Sequence, residues 1–396
     1  MKKLAIAFFA VVCMAMFIAP AYADDRVSLS GSMRVRAWAE NYSNGGDAGW
    51  WDQRFRIQTK INVADDVTAV LRVDYGEGQW GDDYNGLITR PRATGNFATT
   101  IDIDRGYLNI NKEMWALTVG QQYLGLGVAQ VLDANATGAK LVLKLPVKTS
   151  LIYVKESENG SFNDDGFFED SDVYAINFSY DTDAFSTNLF AITRDDGSAL
   201  DDSATMFGFN GSAALGMVNL TTELAFATGD TANGAIDYMG TQFYLKASAN
   251  LNDAFSMGGE LLYALGTDDV NEQQLTGMCN WWSFVPMSSN TPFDADWSAF
   301  PNADPFDPTG SNGGVQGITL FGKYNIMDGL SVGAKVGYFT PEEDANTATD
   351  DITSFNVWVS YMLATNTELA VAYLNSDYDD WKDDYETLVA RLQVNF

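Results

Sequence analysis

Val27-Ser-Leu-Ser-Gly-Ser-Met-Arg-Val-Arg-Ala-Trp-Ala-Glu40 alternates without a slip. Val27, Leu29, Gly31, Met33, Val35, Ala37 and Ala39 make one face apolar or small, while Ser28, Ser30, Ser32, Arg34, Arg36, Trp38 and Glu40 make the other mostly polar. A period of two is the geometry of a β-strand whose faces meet different surroundings. The same dyad returns in Phe55, Ile57, Thr59, Ile61 and Val63 against Arg54, Arg56, Gln58, Lys60 and Asn62. It returns again in Met239–Leu251 and in Phe255–Leu265.

The links between these segments have two lengths. Short turns fall at 64–66, 111–112, 146–147, 181–183, 215–216, 252–253, 327–329 and 364–366, and they alternate with long connections rich in Asp, Asn and Gly. Short turns on one rim and long loops on the other are the asymmetry of an outer-membrane barrel, which a two-sheet sandwich has no reason to adopt. Prolines fall in links and the leader, never inside a strand, as an edgeless sheet demands. Eighteen strands are predicted, at 27–40, 51–63, 67–76, 100–110, 114–122, 138–145, 149–156, 172–180, 184–194, 204–214, 218–228, 236–251, 254–266, 315–325, 330–340, 351–363, 367–376 and 385–396. In 100–110, 149–156 and 184–194 the two faces are not cleanly separated, and losing one hairpin would leave sixteen. The reading is all-β: a transmembrane antiparallel β-barrel whose apolar face meets lipid and whose polar face lines a lumen. Tyr75, Tyr180, Tyr263, Tyr324, Tyr338, Tyr361 and Phe396 have the outward parity of interfacial girdles.

Composition narrows function. The 396 residues contain no His, which removes His-based triads, the usual zinc-protease motif and imidazole acid–base catalysis; no catalytic residue, metal or cofactor is expected. A net charge of −30, from 23 Lys+Arg against 53 Asp+Glu, argues against a nucleic-acid partner. Lys2 and Lys3 precede an apolar run from Leu4 to Ile18, and Ala21-Tyr22-Ala23 supplies small residues for cleavage. Residues 1–23 are therefore expected to be a signal peptide and 24–396 the barrel, with Cys279 as the mature chain's one thiol.

The last segment, Tyr385-Glu-Thr-Leu-Val-Ala-Arg-Leu-Gln-Val-Asn-Phe396, resembles the terminal strand of Gram-negative outer-membrane porins. That resemblance implies that Phe396, with the alternate apolar residues before it, is read by the outer-membrane assembly machinery. Arg105-Gly-Tyr-Leu-Asn-Ile110 followed by Leu117-Thr-Val-Gly-Gln-Gln122 is similar to the porin segment leading into a third loop that folds inward as the constriction. It implies that 123–137, with Tyr123, Leu124, Asp133 and Asn135, holds that place. The sequence departs from the classical loop in carrying Asp133 as its only charge there. The resemblance further implies a homotrimer in a lipid bilayer with lipopolysaccharide, passing small hydrophilic solutes passively; a structural or surface-interaction barrel is the alternative.

Inward parity gathers Arg34, Arg36, Arg54, Arg56 and Arg72 on three neighbouring strands, then Lys140 and Lys144, with Lys246, Lys335 and Arg391 later. Arginine is permanently charged and presents a fixed fork of donors, which suits solutes bearing carboxylate or phosphate; an ordinary polar lining paired with acids such as Glu40 and Asp74 is the equal alternative. Acids crowd the long links: Asp164, Asp165, Glu169 and Asp170; Asp195, Asp196, Asp201 and Asp202; Glu342, Glu343 and Asp344; Asp379, Asp380, Asp383 and Asp384. They read as a solvated rim or as ligands for divalent ions shared with lipopolysaccharide. The longest link, 267–314, has no Lys or Arg and includes Trp281, Trp282, Phe284, Phe293, Trp297, Phe300 and Phe306. Such a packed loop would cap the pore, cover a neighbouring subunit or bind a ligand.

Overall fold

A computed structural model of the chain describes residues 26–43, 46–79, 89–92, 95–98, 101–128, 131–157, 171–196, 202–231, 234–267, 269, 271–275, 279–280, 287, 290–293, 314–343, 351–378 and 384–396. The leader and Asp164, Asp165, Glu169, Asp170, Asp201, Asp344, Asp379, Asp380 and Asp383 lie outside the described residues, as do Trp281, Trp282, Phe284, Trp297, Phe300 and Phe306.

The described elements are all strands: β1 (Val27–Tyr42), β2 (Ala48–Ala64), β3 (Val67–Gln79), β4 (Thr89–Arg92), β5 (Gly95–Ala98), β6 (Ile101–Asn111), β7 (Trp115–Leu126), β8 (Leu132–Leu143), β9 (Lys148–Ser157), β10 (Ser171–Asp181) and β11 (Phe185–Asp196). They continue with β12 (Asp202–Leu215), β13 (Val218–Asp230), β14 (Asp237–Asn250), β15 (Phe255–Ala264), β16 (Glu272–Gln274), β17 (Cys279–Asn280), β18 (Val315–Met327), β19 (Leu330–Thr340), β20 (Ile352–Ala364), β21 (Thr367–Tyr378) and β22 (Tyr385–Asn395). Setting aside β4, β5, β16 and β17, which belong to long links, eighteen strands pair antiparallel with their neighbours in chain order. The first and last pair along Ser32–Tyr42 and Tyr385–Asn395, and the sheet closes.

Eighteen rather than sixteen is thus the count, and the three unclear segments are real strands with separate reasons for their blurred pattern. In β6, Arg72 lies opposite Arg105 and Val73 opposite Ile103, so Asp104 is an extra residue and the dyad changes phase at a β-bulge. In β9 and β11 the inner face is itself apolar: Ile152, Val154, Phe190 and Ile192 are buried although they point into the barrel.

The outer face is the apolar belt that the periodicity predicts, with Leu29, Met33, Leu71, Leu108, Leu189, Phe207, Leu261, Leu320, Val336 and Leu392 exposed. This surface suits hydrocarbon, where a charge at the midplane would cost roughly 2–4 kcal/mol. Exposed aromatics frame it: Tyr75 and Tyr338 towards the long-loop rim, Tyr180, Tyr324, Tyr361 and Phe396 towards the short-turn rim. At the seam Phe396 exchanges both backbone hydrogen bonds with Gly31, at 2.8 and 3.0 Å. A Cβ on Gly31 would come within 2.7 Å of the Phe396 ring, so glycine there makes room for the aromatic that closes the barrel.

Candidate functional site: the lumen and its two inward segments

The inner face of β22, β1, β2, β3 and β6 carries a continuous basic row. Register places Arg36 beside Arg391 on one side and Asp52 on the other, and Arg34 beside Arg54. Arg56 lies beside Asp74, and Arg72 beside Arg105. Like charges directly opposite one another repel, so the row needs acids threaded through it. Asp52 takes a two-pronged contact from Arg36, Nε to Oδ1 and Nη2 to Oδ2, both at 2.8 Å. It also accepts from Trp38 Nε1 at 2.9 Å. Arg56 donates Nε to Asp74 at 2.7 Å, Arg72 is bound to Asp104, and Arg391 reaches Glu368 at 2.7 Å. Among the described residues, Arg34, Arg36, Arg54, Arg56, Arg72, Arg105 and Arg391 thus share this arc with Asp52, Asp74, Asp102, Asp104 and Glu368, cations and carboxylates interleaved. Aromatic rings support it: the Arg36 guanidinium lies 4.8 Å from the centre of the Trp38 ring, which stacks on Trp50 at 5.7 Å.

The expected basic residues do not all join this row. Arg34, Arg36, Arg54, Arg56 and Arg72 are brought together. Lys140 is inward and half-buried but stands opposite Thr118 and Ile152, away from the arginines. Lys144 is a correction: β8 ends at Leu143, so strand parity no longer governs it. It sits exposed on the short-turn rim and donates to Asn111 at 2.6 Å. Arg105 belongs to the row although parity alone did not place it there, because the bulge at Asp104 shifts its phase.

The segment 123–137, expected to be a loop, is mostly a hairpin. Tyr123 pairs with Asn135, Leu124 with Ala134, Gly125 with Asp133 and Leu126 with Leu132, leaving 127–131 as the link. Long strands arise here because the apolar residues alternate and gain cover. Pairing of β7 with β6 stops at Gln121, and pairing of β8 with β9 stops at Thr137, so the hairpin leaves the wall and enters the lumen. Its tip is held by distant strands: Val128 N–H donates to Glu223 Oε2 at 2.6 Å, and Asn210 Nδ2 donates to the Gly127 carbonyl at 3.2 Å. Glu223 is completely buried and also accepts from Gln242 at 2.8 Å. Gly127 has φ +72°, and a Cβ there would meet Glu223 Oε2 at 2.0 Å, so only glycine fits the contact.

The two faces of the hairpin meet different partners. Leu124, Leu126 and Leu132 pack with Ile152, Val154, Val173, Phe190, Ile192 and Met206 into an apolar cluster on the inner face of β9 to β13. Tyr123 and Asn135 face the basic row instead. The Arg105 guanidinium lies 5.1 Å from the Tyr123 ring centre and donates to Asn135 at 3.1 Å, while Asn135 donates to Asp104 at 2.8 Å. The candidates therefore divide: Tyr123 and Asn135 reach the charged wall, Asp133 lies on their side of the hairpin, and Leu124 lies under the opposite face.

Part of the described 267–314 segment also runs inside, while Glu272–Gln274 extends the wall beside β14. Cys279–Asn280 pairs in parallel with Leu132–Asp133, capping the hairpin edge, and Glu272–Gln274 pairs with Asp237–Met239. Further on, Asn356 Nδ2 donates to the Met287 carbonyl at 3.2 Å. Asn290 bridges Lys246 and Glu260, the latter at 2.8 Å. Glu260 is in turn bound to Lys335 at 2.9 Å, both buried. Phe293 is fully buried among Phe339, Trp358 and Val389, with the Arg391 guanidinium 5.0 Å from its ring centre. Two inward segments thus reach the wall on both sides: the hairpin meets the apolar arc and Arg105, and the described part of 267–314 meets β14, β15, β20 and Arg391.

No family model and no curated protein matches the chain. Solved structures do resemble it in fold. OccAB4 of Acinetobacter baumannii aligns with a TM-score of 0.61 at 15% identity, over 94% of this chain and 98% of its own. OccK9 (OpdG) of Pseudomonas aeruginosa gives 0.63 at 12% identity, over 94% and 99%. OpdK of Pseudomonas aeruginosa, solved with vanillate, gives 0.61 at 10% identity, over 93% and 98%.

Proposed function

We propose that the protein is an outer-membrane diffusion channel for small hydrophilic solutes, with a preference for anions bearing carboxylate or phosphate. The observation that carries this reading is the arginine row across β22, β1, β2, β3 and β6, opposed inside the barrel by a hairpin whose lumen face is uncharged apart from Asp133. A guanidinium keeps its charge and hands an anion along successive fixed forks, a task an ammonium on a flexible stem performs less well. Similarity in fold to OccAB4 and to OpdK supports the class, and vanillate, with which OpdK was solved, is an aromatic carboxylate. Export by removal of 1–23, a homotrimer seated among lipopolysaccharide, and reading of Phe396 by the assembly machinery belong to the same proposal.

Purified protein inserted in a planar bilayer is expected to give discrete conductance steps, with a reversal potential in a salt gradient that favours anions. Replacing Arg34, Arg36, Arg54, Arg56 and Arg72 with Gln is expected to abolish that bias. Insertion without steps would overturn the channel reading in favour of a structural barrel.

A further inference from the structure

We propose that Asp104, the extra residue of the β-bulge in β6, is a specificity-determining residue of the pore: it limits the anion preference of the arginine row and sets the stance of the inward hairpin. This inference rests on the channel reading above.

The bulge is what puts it there. In an unbroken ladder the residue before Arg105 would face lipid; with Arg72 opposite Arg105 and Val73 opposite Ile103, Asp104 has no partner across the ladder, and its side chain enters the lumen beside the row. Its two oxygens are divided between two tasks. Oδ2 binds the Arg72 guanidinium; Oδ1 accepts from Asn135 of the hairpin at 2.8 Å. Asn135 is held from its other end by Arg105 at 3.1 Å. Wall and hairpin therefore meet through a chain Arg72, Asp104, Asn135, Arg105. Asp52 and Asp74 also neutralise arginines, but their bonds run along the wall and touch no inward segment. Asp104, by contrast, both pairs an arginine and grips the hairpin. A carboxylate is needed: an amide would keep one hydrogen bond and leave Arg72 and Arg105 as uncompensated neighbours.

Reversal potentials in a salt gradient test this on the full chain. Asp104→Asn is expected to raise the anion-to-cation permeability ratio on the order of fivefold, the weight of one unit charge a few ångströms from a passing ion in water. It is also expected to broaden open-channel noise as the hairpin loosens. Arg72→Gln is expected to shift the ratio towards cations, because Asp104 is then uncompensated, and Arg72→Gln with Asp104→Asn is expected to return it to the wild-type value. An unchanged ratio in Asp104→Asn would overturn the inference. If that variant does not insert, equal ratios in Arg72→Gln and the double variant would overturn it just as well. Failure of the wild-type protein to conduct is a different result and strikes the channel reading itself.

Discussion

The inner wall of this barrel has two arcs that a strand period cannot tell apart. From β22 to β6 it is charged: Arg36 with Asp52, Arg56 with Asp74 and Arg72 with Asp104 stand in a lumen-facing row. From β9 to β13 the same inward parity carries Ile152, Val154, Val173, Ile192 and Met206, buried under the β7–β8 hairpin. Both arcs lie behind an outer surface made for lipid. The difference shows that parity fixes only which side a residue faces; its chemistry follows what it meets there, ion-pair partners on one arc and the leucines of the hairpin on the other.

The sharpest way to break this contrast is to put one charge on each arc. Ile192→Asp would place a carboxylate among Leu124, Leu126 and Met206 with no cation in the cluster. An uncompensated buried charge costs on the order of 3–5 kcal/mol, so the hairpin is expected to leave the wall. The readouts are a folded band that yields to heat at lower temperature and single-channel conductance that rises. Ser32→Asp, on the charged arc opposite Arg56, is expected to change stability by less than about 1 kcal/mol. Equal costs at the two positions would show that the covered arc is wet.

A smaller effect is expected at the hairpin tip. Glu223→Ala removes the acceptor of both Val128 N–H and the Gln242 amide, and leaving such groups unpaired costs about 2–3 kcal/mol. Because Glu223 anchors the tip rather than the apolar face, flickering between conductance levels should appear with little change in mean conductance. Gly127→Ala should reproduce the flicker without touching a charge, since its Cβ would push Glu223 away. A steady single level in both variants would remove the latch from this description.

How much of this was legible in the sequence follows from the same contrast. The dyad, the alternation of short and long links and the even strand count depend on local patterning against lipid, and the pattern in β1, β2 and β14 is enough to read them. The arginines of β1, β2 and β3 were legible for the same reason. Arg105 and Asp104 were not, because a bulge adds a residue without any compositional mark and reverses the phase beyond it. The hairpin was legible in place but not in shape: the segment reads as a loop, whereas the alternation of Leu124, Leu126 and Leu132 serves a ladder that packs on the inner wall. The unclear pattern of β9 and β11 was itself the signal for that cover, an inner face made apolar by a second layer. Nothing in the neighbourhood of Glu223 announced a latch, because its partner is a backbone amide nearly a hundred residues earlier in the chain.

The smallest effects separate two ion pairs of equal length. Arg36–Asp52 and Lys148–Asp181 both measure 2.8 Å, but the first is nearly buried and the second is about half exposed at the short-turn rim. Distance alone would rank them equal; surroundings do not. Asp52 also holds Trp38, and its bond to Arg36 is doubled and shielded from water, so Asp52→Asn is expected to cost about 1–2 kcal/mol and to move the reversal potential towards anions. Lys148 is solvated and screened, and Lys148→Ala is expected to change stability by no more than about 0.5 kcal/mol and to leave selectivity untouched. Raising the salt concentration should erase what little the Lys148 pair contributes while leaving most of the Asp52 effect in place. A common salt dependence in the two variants would mean that the charged arc is as open to water as the rim, and the arginine row would then act as a diffuse field instead of a fixed set of forks.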